Sequence, residues 1–101
     1  MPGTTPKALA EKVFTQDEDA TPAVALLGKF NIMVVDSDNA LNATVVLEIS
    51  INGGTTWYIV ETYTDTQTVK VGENYDPRAL FRLRVDAFTS ATAGYMALAQ
   101  I

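Results

Sequence analysis

Apolar and polar side chains alternate through most of the chain from residue 24 onward, and a period of two marks a half-buried β-strand. Phe30, Ile32 and Val34 alternate with Lys29, Asn31 and Met33. Val45, Leu47, Ile49 and Ile51 point one way, and Thr44, Val46, Glu48 and Ser50 the other. Phe81, Leu83 and Val85 alternate with Arg82, Arg84 and Asp86. A short apolar run at 24–27 stops at Gly28, and aromatic and β-branched residues fill 57–64. A short strand is predicted around 68–71 and a less sharply alternating one at 95–101. No run from residue 23 onward has helical spacing.

Turn chemistry separates these runs. Asn52-Gly53-Gly54 supplies the positive φ that a tight hairpin needs. Asp36-Ser37-Asp38-Asn39 closes one strand, and residues 72–77, with Gly72 and Pro77, form a predicted loop. Strands spaced this way predict an all-β, single-domain antiparallel β-sandwich, immunoglobulin-like or jelly-roll, of about seven or eight strands. Residues 1–6, with two prolines and a glycine, read as an extended N-terminal arm. Residues 7–14 suit either a helical stripe (Leu9, Val13, Phe14) or a strand (Leu9, Glu11, Val13). Thr15-Gln16-Asp17-Glu18-Asp19-Ala20-Thr21-Pro22 reads as a solvated acidic loop. The organisation expected is an arm and acidic loop over 1–22 and a β-sandwich over 23–101.

Composition narrows the function. The chain has 101 residues, enough for one core. It contains no cysteine and no histidine, so thiolate chemistry, disulfides and the commonest general base are ruled out. A net charge of −5 argues against a nucleic-acid surface or a polybasic membrane contact. Residues 1–6 lack the pattern of a signal peptide, and no apolar run is long enough for a spanning helix. The serines (Ser37, Ser50 and Ser90) have no histidine to activate them. A carboxylate pair such as Glu48 and Glu61 across the hairpin could in principle do glycoside chemistry, and reads more simply as a solvated face. No enzyme activity, metal or cofactor is expected.

Several motifs have both a structural and a binding reading. Ser50, Asn52, Gly54, Thr56 and Trp57 fill the pattern of an Asp-box hairpin, with asparagine at the acidic position. The expected role is local: Asn52 bonds backbone N–H groups and Trp57 covers the turn. Asp36-Ser37-Asp38-Asn39 offers oxygens at alternate positions but lacks the glycine and distal glutamate of a calcium loop, and reads as a solvated turn. Asp17-Glu18-Asp19 is a solvated loop or an acidic patch for a basic partner. Trp57, Tyr58, Tyr63, Tyr75 and Tyr95 could build a platform for sugar rings, although Trp57 and Tyr58 must face opposite sides of a strand. Arg82 and Arg84 share a face and could pair with Asp86, Glu48 or a neighbouring subunit.

Residues 43–101 resemble small virion proteins of tailed bacteriophages. The carrying features are Val45-Val46-Leu47-Glu48-Ile49-Ser50, the Asn52-Gly53-Gly54-Thr55-Thr56-Trp57 turn, Val60 to Thr64, Leu80-Phe81-Arg82-Leu83-Arg84-Val85 and an Ala/Thr-rich finish. The resemblance implies a virion structural protein made in the host cytoplasm. The implied type is a capsid decoration (cement) protein that binds the major capsid protein or other virion proteins as a homo-oligomer, most simply a trimer. Its expected contacts are the arm residues Pro2, Thr4, Thr5 and Pro6, together with Trp57 and Tyr58. The alternatives are a carbohydrate- or receptor-binding module and a head–tail or tail subunit.

Overall fold

The computed structural model describes residues 7–36, 41–90 and 94–101. Among the described residues every regular element is a strand: β1 (Leu9–Phe14), β2 (Val24–Ala25), β3 (Gly28–Val35), β4 (Ala43–Ser50), β5 (Tyr58–Tyr63), β6 (Gln67–Asn74), β7 (Leu80–Phe88) and β8 (Gly94–Gln100). They form two antiparallel four-stranded sheets, sheet A in the order β1-β8-β3-β6 and sheet B in the order β2-β7-β4-β5. Only the β4–β5 hairpin stays within one sheet; every other connection crosses to the opposite layer. Of the two sandwich types expected, this order is the jelly roll's, whereas an immunoglobulin sandwich keeps several consecutive strands in one sheet.

The inward faces follow the alternation read from the sequence. Phe30, Ile32 and Val34 on β3 meet Phe81, Leu83 and Val85 on β7 and Val45 and Leu47 on β4, all fully or nearly buried. Rings span the gap between sheets: Phe30 lies 5.2 Å from Phe81, and Phe14 meets Phe88 edge-on at 6.5 Å. Two Phe–Gly pairs pack across neighbouring strands of sheet A. Phe14 is opposite Gly94, and Phe30 is opposite Gly72. A Cβ at either glycine would come within 2.6 Å of the facing ring. Gly72 therefore lies inside β6, not in the predicted loop, and the strand continues to Asn74.

The N-terminal reading needs correction. Residues 9–14 are a strand, paired with β8 along their whole length, with Ala10 and Phe14 turned into the core. The boundary at residue 22 therefore cuts through the sandwich. Leu9 and Val13, the apolar positions of both sequence readings, are exposed on the outer face. The acidic segment is a loop with Thr15 to Glu18 exposed, but it is also anchored along the edge of β7. Glu18 and Thr21 donate backbone N–H bonds to Val85 and Leu83, and Val85 donates back to Asp19. The Phe88 N–H donates to the Asp17 carboxylate at 2.6 Å, and Leu83 N–H to the buried Thr21 hydroxyl at 3.1 Å. The Thr15 N–H bonds Asp19 and holds its carboxyl below the ordinary carboxylate value. The arm, residues 1–6, and residues 37–39 of the predicted turn lie outside the described residues.

Candidate interaction surface

The two outer faces of the sandwich differ sharply in character. On sheet B, β4 is buried on both sides: Val46, Glu48 and Ser50, expected to face water, are 5% exposed or less. Glu48 is covered by two arginines of β7, Arg82 directly across from it and Arg84 on the diagonal, opposite Val46. Its Oε1 accepts from Arg82 Nε at 2.9 Å and Arg84 Nε at 3.0 Å, and Arg84 Nη2 reaches Oε2 at 3.3 Å. Arg84 also meets Glu18 and Asp86, both at 3.1 Å. The Glu48 hydrogen bond raises the Arg84 guanidinium further above its ordinary value. Arg82 stacks over Trp57, 4.2 Å from the ring centre. The β4–β7 part of this face is closed by its own charges, while Ile59 at the β5 edge, opposite Glu48, stays 54% exposed.

The hairpin between β4 and β5 is a hydrogen-bonded unit. The Ser50 hydroxyl donates to Asn52 Oδ1 at 2.8 Å and accepts the Gly54 N–H at 2.9 Å. Asn52 Oδ1 accepts the Thr56 N–H at 2.9 Å, while its Nδ2 donates to the Thr56 hydroxyl at 3.0 Å. Gly53 and Gly54 take φ of 74° and 89°, and Trp57 lies over Gly54. Ser50, Asn52, Gly54, Thr56 and Trp57 thus come together as one turn. Ser50→Ala removes three bonds, the third being the Asn52 N–H at 3.4 Å, from a fully buried residue and is expected to cost about 1–2 kcal/mol. The check is a urea unfolding curve with a lower midpoint and an unchanged slope.

The remaining candidates are scattered. Glu48 lies on the outer face of sheet B, whereas Glu61 is opposite Leu47 on the inward side. The carboxylates therefore sit on opposite faces and cannot share a substrate. Glu61 instead takes the Tyr63 hydroxyl and pairs with Lys70 of β6 at 3.4 Å, tying together the open edges of the two sheets. Burial, and then Glu61, push the Tyr63 hydroxyl far above its ordinary range. The aromatic platform is not assembled. Trp57 is occupied by Arg82, Tyr63 is buried, and Tyr95 lies on sheet A with its hydroxyl on Glu11. Tyr58 and Tyr75 are exposed on separate elements. Among the described residues, no group of three or more acidic side chains is placed to hold a metal ion.

The outer face of sheet A is apolar and uncovered. Antiparallel register puts directly opposed residues on the same side, which fixes its rows. One row reads Leu9, Ala99, Asn31 and Val71, and the next reads Glu11, Ala97 and Met33 with Val69 beyond a register shift. A third reads Val13, Tyr95 and Val35. Alanines on β8 form the floor of a shallow trough of about 540 Å³, with Leu9 on one side and Met33, Val69 and Val71 on the other. Val69 is 86% exposed, the most of any large apolar side chain described.

Sequence reasoning did not find this surface. Its signal was present in the same alternation, because Leu9 and Val13, and Val69 and Val71, are i, i+4 and i, i+2 pairs that all fall on one side of their strands. The chain matches no protein-family model, no curated protein and no solved structure.

Proposed function

We propose that the protein is a non-enzymatic structural component of a phage particle, a decoration (cement) protein that binds the outer shell and stabilises it as a symmetric homo-oligomer, most simply a trimer. The observation that carries this reading is the contrast between the two outer faces. The centre of one is sealed by Glu48, Arg82 and Arg84, leaving Ile59 exposed at its β5 edge; the other is apolar and uncovered from Leu9 on β1 to Val71 on β6. Exposed apolar area of this extent serves association. The absence of histidine and cysteine and the separation of Glu48 from Glu61 support a binding role over a catalytic one. The virion assignment itself is supported by the resemblance of residues 43–101.

On a particle, each contact can be weak, since a second contact made by a bound oligomer is effectively intramolecular. The test is co-sedimentation with shells lacking the protein, together with its copy number in purified particles by quantitative mass spectrometry. Decoration predicts saturable binding, a copy number comparable with that of the shell subunit, and greater heat resistance of the decorated shells. A small fixed number of copies would make it a tail or connector part. Saturable glycan binding abolished by a change at Tyr58 would make it a sugar-binding module instead.

A further inference from the structure

We infer that the occupant of the outer face of sheet A is a second copy of this chain, the ridge of one copy lying in the trough of the next. The inference rests on the assembly reading only in treating that face as an interface.

Shape favours self-contact. Ala97 and Ala99 on β8 make the trough, and Val69 and Val71 on β6 make a ridge on the same face. Ridge and trough are two strands apart, about 10 Å at ordinary strand spacing. Every copy therefore carries both halves of a complementary contact. A matched pair can close about a two-fold axis or pass round a ring. Two troughs set directly against each other would leave a void, so the contact must be offset, valine over alanine.

Chemistry and area agree. The ridge is apolar and strongly exposed, and the floor is made of small side chains with no charge to desolvate. The nearest carboxylate, Glu11, is already engaged by the Tyr95 hydroxyl. Four strands and three rows of side chains span roughly 400 Å² in plane, so two such faces would bury about 800–1,000 Å². That is below the roughly 1,200 Å² of a stable interface and in the range of weak, transient contacts. The expected behaviour is a reversible equilibrium between monomer and oligomer, not an obligate assembly.

The test is sedimentation equilibrium of the purified full chain over a wide concentration range, with no particle present. The wild type should show a mass above monomer that falls on dilution. Val69→Lys places a charge on the ridge at a position that contributes nothing to the core. It should weaken self-association by at least about tenfold with an unchanged urea midpoint. Ala99→Arg fills the trough and should have the same effect from the other side; circular dichroism confirms that each variant is folded. A wild type that stays monomeric at its highest soluble concentration overturns the inference, as does an oligomer unaffected by either substitution. Because no shell is present, failure here leaves the decoration reading to its own co-sedimentation test, and failure there leaves this result standing.

Discussion

Glu48→Ala is expected to cost about 3–5 kcal/mol, the range found when one partner of a buried ion pair is removed. The carboxylate is the shared acceptor for Arg82 and Arg84 and is 5% exposed. Its loss leaves two guanidinium groups against the sheet with their main acceptor gone. Arg84 retains Glu18 and Asp86, but Arg82 retains only the face of Trp57. Trp57 is the chain's one tryptophan, so its fluorescence reports directly on this change. The prediction is a large fall in urea midpoint together with a shifted emission maximum in the folded variant. Glu48→Gln, which keeps the shape and an acceptor oxygen, should cost less than Glu48→Ala. Equal stability of wild type and Glu48→Ala would show that the cluster is held by packing alone.

The second large effect is at Phe14, which joins the N-terminal strand to the core. Its side chain is fully buried, lies against Gly94 and meets Phe88 across the sheets. Phe14→Ala should cost about 3–5 kcal/mol. Gly94→Ala should cost about 1–3 kcal/mol, because the added Cβ would lie 2.5 Å from the ring. The two sites touch, so their effects should not add. Combining Gly94→Ala with Phe14→Leu makes room for the methyl group and should cost less than the sum of the two single changes. If Phe14→Ala unfolded at the wild-type midpoint, residues 9–14 would be a dispensable appendage.

The inner faces of β3, β4 and β7 and the hairpin turn were legible because each depends on local signals. Phe30, Ile32 and Val34 repeat every second residue, and Asn52-Gly53-Gly54 carries its own turn geometry. The orientation of β1 was not legible. A period of two fixes which residues share a side but not which side is the core; that is normally decided by which set is more apolar. The outward set Leu9, Glu11 and Val13 and the inward set Ala10, Lys12 and Phe14 each hold two apolar residues and one charge, so composition does not choose between them. Leu9 and Val13 face outward because sheet A has an apolar exterior. The anchoring of the acidic loop was not legible for a different reason. The Asp17 and Glu18 partners, Phe88 N–H and Arg84, lie 71 and 66 residues away in sequence. Nothing near an acidic residue in the chain shows whether a distant donor will meet it. Glu48 was placed on a solvated face for the same reason, since only the register of β4 with β7 brings Arg82 and Arg84 over it.

The strand order of sheet A also constrains synthesis. β8 runs between β1 and β3, so the centre of that sheet is built from residues 94–100. A nascent chain leaving the ribosome carries β1, β3 and β6 without the strand that joins β1 to the others, and their exposed edges invite misplaced pairing. Closure must await the last strand, and the separation in sequence between β1 and β8 makes that step slow relative to local hairpin formation. Ribosome-held chains ending before residue 94 should therefore be readily cut by protease, and those carrying β8 clear of the exit tunnel should resist it.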